Sequence, residues 1–174
     1  MANRIKRLVK HLWLGGESAT HRAIAPVAVK RLKETVARSE RRHCGEIRIF
    51  VESALPLADL MRRDSTPMLA RNRALSMFGE LRIWDTAGNN GVLIYVLLIE
   101  RRIEIVADRG VNDLVDNRVW QAMVTQMGGA FAAGRFEEGL QEAVSGVTAL
   151  LEQHFPLTSG QRKRNELPDT PVLG

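Results

Sequence analysis

The sequence predicts an α/β fold, a single-domain α/β/α sandwich with a central mixed sheet. Three observations carry this. Residues 91–99, GVLIYVLLI, are apolar at nearly every position and include several β-branched side chains, which marks a strand covered on both faces. Apolar residues recur at helical spacing on either side of it. A second strand pattern at 46–52 is joined to 91–99 through a helical segment, and a right-handed crossover between parallel strands is the default for such a connection.

The elements follow in order. Residues 1–20 form an amphipathic N-terminal segment, with a short helix over 3–13 in which Ile5, Leu8, Val9 and Leu12 share a stripe. Such a stripe ordinarily caps the domain's own core. Contact with a membrane surface is the alternative, but the stripe is short and has no second anchoring signal. Pro26 suits the first turn of the next helix, which carries Ala28, Leu32 and Val36 and ends near Arg42. EIRIFVE, 46–52, alternates Ile47, Ile49 and Val51 against Glu46, Arg48 and Phe50, a strand with one well-buried face. Thr66 and Pro67 open a helix that turns Leu69, Leu75, Met77 and Phe78 inward. ERR is a tight reversal, and IEIVA, 103–107, is the returning strand.

Two helices complete the domain. The first lines up Val119, Met123, Met127 and Phe131, with Trp120 and Val124 beside them; Gly128 and Gly129 weaken it. The second, over 136–154, repeats Leu140, Val144, Val147 and Leu151. Periodicity then stops. Residues 157–174 read as a flexible tail, which leaves a folded domain of 21–156.

The 174 residues suffice for one full core, and 45% hydrophobic with 26% charged is ordinary globular composition. Cys44 is the single cysteine, so no internal disulfide forms and a reducing compartment fits. No secretory pattern is visible, and the apolar run is about half the length that spans a bilayer. The reading is a soluble cytoplasmic protein with no transmembrane segment. The net charge is +5, but no zinc-finger spacing, aromatic RNA motif or DNA-reading helix accompanies it. A solvated basic surface is expected rather than a specific nucleic-acid site.

The chemistry concentrates in WDTAGNNG, 84–91. A reversal at Glu100 and Arg101 places Ile99 opposite Arg102 and Gly91 opposite Gly110. Asp85, Asn89 and Asn90 then meet Asp108, Asn112 and Asp113 at one end of the sheet, with Asp116 one turn further on. Clustered carboxylates repel unless their charge is offset, and Ca²⁺ or Mg²⁺ does so with oxygen ligands alone. The plain alternative is turn and cap chemistry. The candidate metal set is Asp85, Asn89, Asn90, Asp108 and Asp113. Trp84, Arg109, Asn112 and Asp116 are the other residues of a candidate pocket. Arg109 is expected to pair with Asp108, Asp113 or Asp116, the alternative being an anionic group such as phosphate. His43 and Cys44 read as turn or surface residues, and the tryptophans as core.

GEIRIFVE, NNGVLIYVLLIERRIEIVADRG, FAAGRFEEGLQEAV and HFP together resemble the TPM domain family. That family includes a plant thylakoid lumen protein linked to photosystem repair and many bacterial proteins. The match is nearest to short bacterial members with WDT before NNGVL, and covers about residues 24–156. The resemblance implies an α/β/α sandwich and a divalent-cation site at the loop end of the sheet; acid phosphatase activity is attributed to the plant branch. The family's DNG becomes Asn89, Asn90 and Gly91, and its GYGLE becomes Asp108, Arg109, Gly110, Val111 and Asn112. Carboxylates are lost in both segments and one is gained at Asp108, so any ligand set is rearranged.

Two function classes follow. One is a cytoplasmic interaction module, divalent-cation binding, peripheral at the inner membrane and tied to envelope or membrane-protein maintenance through an unidentified protein partner. The other is a metal-assisted acid phosphatase acting on phosphomonoesters. No clear catalytic constellation decides between them, and catalytic residues are not assigned.

Overall fold

Strands β1 (Glu46–Glu52) and β2 (Gly91–Leu97) run parallel, with Glu46 opposite Gly91 and Glu52 opposite Leu97. The computed structural model describes residues 2–158 and 163–174, including side chains at all of these except 2–4, 14 and 17. β3 (Arg102–Ala107) returns antiparallel to β2, and a short β4 (Val172–Leu173) pairs parallel with the far edge of β1. The sheet order is β3-β2-β1-β4. The mixed sheet packed by helices is the fold class the sequence predicts.

Helices α1 (Ala2–Leu14), α2 (Glu17–Ala23) and α3 (Pro26–Ser39) precede the sheet. α4 (Leu57–Leu60) and α5 (Thr66–Glu80) make the crossover from β1 to β2. α6 (Arg109–Asn112), α7 (Asn117–Ala132) and α8 (Phe136–His154) follow β3. On one face, Leu32, Val36, Phe131, Leu140, Val144 and Leu151 bury Ile49, Ile94 and Ile105. On the other, Leu69, Ala70, Ala74 and Met77 of α5 cover Phe50, Leu93, Tyr95 and Leu97.

The β2–β3 register differs from the expected one by two residues. Leu97, not Ile99, lies opposite Arg102. The cause is the neighbouring strand: the N–H groups of Leu98 and Ile99 donate to the carbonyls of Glu52 and Ser53, at 3.0 and 3.1 Å, so the chain leaves β3 earlier. Arg101, at φ 49°, closes the longer turn. A slip of two keeps every side chain on its expected face.

β1 is buried on both faces rather than one. Its polar residues have distant partners. Glu52 accepts from the Tyr95 hydroxyl at 2.6 Å and from Arg73 Nε at 3.0 Å, and burial pushes the Tyr95 hydroxyl far up. Glu46 pairs with Lys163 Nζ at 3.0 Å, and Arg48 donates to the Thr170 carbonyl at 3.1 Å. In α5, Leu75 is exposed and the small Ala70 and Ala74 take the inner face, which lets the helix approach the sheet. In α7, Val119 is exposed and Trp120 is buried instead.

Both ends of the chain depart from expectation. Residues 163–174 form a docked strap, not a free tail. Lys163 Nζ bridges Glu40 (2.8 Å), Glu46 and the Gly45 carbonyl (2.6 Å); Leu167 is buried; Gly174 N–H donates to Val51 at 2.8 Å. Residues 159–162, in the same expected tail, lie outside the described residues. The N-terminal helix is present, but Ile5, Val9 and Leu12 point to solvent and His11 is buried in their place. Only Leu8 of the stripe packs against the core.

Candidate functional site

The loop after α5 is set by its backbone before its side chains. Arg82 at φ 53° turns the chain, and Ile83 anchors it, fully buried, with its N–H on Phe78 at 3.0 Å. Gly91 lies against the Ile83 carbonyl, where a Cβ would stand 2.2 Å from the oxygen, so no larger residue fits. Thr86 is buried and braces the turn: its hydroxyl accepts the Asn90 N–H at 3.1 Å, and its carbonyl accepts the Asn89 N–H at 3.2 Å. Asn89 itself takes φ 47°, a left-handed conformation that asparagine tolerates.

Asn90 is 3% exposed. Its amide Nδ2 donates to the Cys44 carbonyl at 3.1 Å, and its backbone carbonyl accepts the Glu46 N–H at 3.2 Å. Its Oδ1 is buried without a hydrogen-bond partner among the described residues. Buried polar atoms are almost always satisfied, so this oxygen is a marked exception.

The second loop supplies another. Asp108 caps α6, and its Oδ1 accepts the Arg109 N–H at 2.7 Å, but its Oδ2 is buried with no partner among the described residues. Asn112 donates from Nδ2 to the Ala107 carbonyl at 2.7 Å and holds the end of β3. The two loops touch. A Cβ built on Gly110 would stand 2.6 Å from the Asn89 carbonyl oxygen and 3.0 Å from that of Gly88.

The other candidates divide. Asp85 is turned to Arg82 at 2.5 Å, and the Arg82 guanidinium lies over the half-exposed Trp84 ring at 5.9 Å. Asp116 caps α7 and pairs with Arg118 at 3.0 Å. Asp113 stands exposed at the end of α6. Arg109 is exposed, and among the described residues no carboxylate lies within ion-pair distance of its guanidinium, against the expected structural pairing; Asp116 is already taken by Arg118. Among the described residues no group of three or more His, Cys, Asp and Glu side chains is arranged to hold a metal. The unpartnered side-chain oxygens of the two loops belong to one carboxylate and one amide.

Two contributors escape the sequence pattern. Thr86 has a weak signal, a hydroxyl four residues before Asn90. Glu166 has none: it comes from the C-terminal strap and accepts the Ala87 N–H at 3.1 Å, backing the first loop from a distant part of the chain. Two readings near the loops also change. His43 is fully buried, bonded to Ser39 Oγ at 2.8 Å and to the Gly45 carbonyl at 3.1 Å. Burial and the nearby Lys163 lower its pKa to about 4. Of the tryptophans, only Trp120 is in the core; Trp13 and Trp84 are exposed.

The TPM domain model matches residues 20–150. The chain belongs to the TPM domain family. The NMR structure of BA42 protein from the psychrophilic bacterium Bizionia argentinensis superposes on this TPM domain with a TM-score of 0.73, at 26% identity, over 87% of this chain and 95% of that one. No curated protein matches the chain.

Proposed function

We propose that this TPM domain is a divalent-cation-binding interaction module that works in the cytoplasm at the periphery of the inner membrane, with an envelope-associated protein as its partner. The observation that carries the cation reading is the pair of orphaned oxygens, Asn90 Oδ1 and Asp108 Oδ2, on two loops in mutual contact. A cation with oxygen preference would satisfy both, with the Gly88 and Asn89 carbonyls completing the shell. Calcium suits such irregular ligation better than magnesium, which demands near-octahedral geometry. With a single central carboxylate, binding is weak, on the order of millimolar. Asp85 joins the set only by leaving Arg82, and Asp113 only as an exposed outer ligand. Among the described residues no helix is long and apolar enough to cross a membrane.

Calcium titration tests the reading. Binding to the folded state should raise the melting temperature and move the amide signals of residues 85–91 and 108–113 together. Asp108→Ala should abolish both. Unchanged signals at millimolar calcium would reduce the loops to turn and cap chemistry.

The alternative, metal-assisted phosphomonoester hydrolysis, draws on Arg109, which follows Asp108 and whose guanidinium has no carboxylate partner among the described residues, so that it suits an anion. Hydrolysis also requires a metal-bound water or an activated nucleophile. Cys44 is a poor candidate for the latter, since its Sγ faces the Pro156 carbonyl at 3.8 Å and the neighbouring His43 imidazole is engaged by Ser39 and the Gly45 carbonyl. Metal-dependent turnover of a phosphomonoester that Asp108→Ala and Arg109→Ala both abolish would favour this second reading.

A further inference from the structure

Helix α1 is mounted with its faces reversed. A surface helix normally buries its apolar stripe and shows charge to water. Here the inward side is polar. His11 is 3% exposed; its Nδ1 accepts the Leu55 N–H at 3.0 Å and its Nε2 meets Glu100 at 3.0 Å. The Arg7 guanidinium donates to the backbone carbonyls of Leu60, Arg62 and Asp64, at 3.4, 3.3 and 3.0 Å. The end of the helix is held as well, with the Gly16 N–H on Ser53 Oγ at 2.7 Å. The outward side is apolar: Ile5 is 63% exposed, Val9 50%, Leu12 60% and Trp13 86%. Ile5, Val9 and Trp13 line a shallow depression of about 460 Å³ together with Lys6 and Lys10.

We infer that the Ile5–Val9–Leu12–Trp13 face of α1 binds an anionic lipid bilayer, its apolar ridge entering the headgroup region while Lys6 meets lipid phosphates. Charge complementarity selects this occupant. The α1 sequence contains no acidic residue, and of the acids near it Glu100 is engaged by Lys10 at 3.2 Å and by His11, and Asp64 by Arg62 at 3.1 Å. A second copy packed ridge to ridge would bring like charges together, which disfavours self-association. A tryptophan at the rim of a basic apolar face is the composition of an interfacial helix. Polar contacts to the body of the domain, together with Leu8, fix α1, so the ridge is presented without rearrangement. α1 seats at the Glu100 and Leu55 end of the sheet, opposite the 85–91 and 108–113 loops. A membrane-bound chain therefore keeps those loops turned to solvent.

The inference does not depend on the cation site, and its test runs in chelator so that the two fail separately. The full chain is sedimented with vesicles of phosphatidylcholine alone and of phosphatidylcholine with phosphatidylglycerol. Pelleting is expected with the anionic vesicles, reduced by salt and much weaker with the neutral ones. The double substitution Ile5→Ser, Val9→Ser should lower the partition coefficient about tenfold or more. Lys6→Ala should lower it about fivefold, on anionic vesicles only. All three residues are exposed, so melting temperatures should not move. Tryptophan emission should shift to the blue on binding, and Trp13→Phe should remove that shift. Three results overturn the proposal: wild-type protein left in the supernatant at low salt, pelleting indifferent to the double substitution, or a solution dimer that the double substitution dissociates, which would give the ridge to a second copy.

Discussion

The backbone N–H of Asp108 donates to the Gly91 carbonyl at 2.8 Å. This one bond ties the residue that follows β3 to the first residue of β2, and it is why loops 85–91 and 108–113 share an end of the sheet. The next residues then have no freedom to separate. Gly110 lies directly on the Gly88 and Asn89 carbonyls.

That contact gives a steric prediction. In Gly110→Ala the new methyl meets backbone oxygen at 2.6 Å, and neither loop can shift cheaply. The variant should lose about 1–3 kcal/mol of stability in urea unfolding, as overpacked sites do. It should also lose the calcium-dependent shift, because the carbonyls must move. Wild-type stability together with a wild-type calcium response would show that the loops are less tightly apposed.

A second prediction concerns the strap. Lys163 neutralises two buried carboxylates, Glu40 and Glu46, at 2.8 and 3.0 Å. Lys163→Met leaves both without their cation, and removing one partner of a buried pair costs about 3–5 kcal/mol. The urea midpoint should fall accordingly, and residues 163–174 should become open to proteolysis. A small loss, with the strap still protected, would mean that β4 pairing and Leu167 hold it alone.

These two sites show what the sequence could and could not reveal. Leu140, Val144, Val147 and Leu151 repeat at helical spacing and are all buried, since a local period reports burial directly. The all-apolar β2 was equally legible. The second face of β1 was not. Glu46, Arg48 and Glu52 look solvent-facing until Lys163, Thr170 and Arg73 arrive from elsewhere in the chain. The strap was hidden because two residues of strand carry no period, and backbone pairing leaves no side-chain signature. For α1 the stripe was legible but its direction was not; His11 and Arg7 find partners that only the tertiary fold supplies. At the candidate site, the meeting of the loops followed from the hairpin, while the pairing of Asp85 with Arg82 and the support from Glu166 did not.

The buried polar groups near the strap predict opposing pH dependences. Burial and Lys163 lower His43 to about 4 from 6.5, so the unfolded chain takes up this proton first as pH falls. Its contribution is complete above pH 6.5 and is lost toward pH 4, by about 3 kcal/mol for a shift of that size. Glu40 runs the other way. Burial raises it to about 7 from 4.5 despite the lowering effect of Lys163, so its contribution is complete below pH 4.5 and is lost as pH rises through 7. Urea midpoints measured against pH should separate them. Relative to the parent, His43→Gln should lose the acid-side decline, and Glu40→Gln should lose the decline toward neutrality. Identical profiles for parent and variants would refute both assignments.

The last prediction uses the orphaned oxygen of Asn90. In Asn90→Asp the side chain keeps its oxygen there and gains a charge, but loses the Nδ2 donor that holds the Cys44 carbonyl at 3.1 Å. Without a cation, the variant buries a carboxylate facing a carbonyl, and stability should drop by about 3 kcal/mol or more, since an unpaired charged group costs more than a neutral one. With calcium held between the loops as proposed, the added charge joins the Asp108 carboxylate as a ligand, and ligand charge is a main determinant of calcium affinity. The dissociation constant should therefore fall about tenfold, and saturating calcium should restore most of the lost stability. The measurement is a melting curve at increasing calcium for parent and variant. A metal-binding pair of loops gives a variant that is weaker in chelator and shifted more strongly by calcium. Loops that serve only as turn and cap give a variant that is weaker at every calcium concentration, and that result would remove Asn90 Oδ1 from any ligand set.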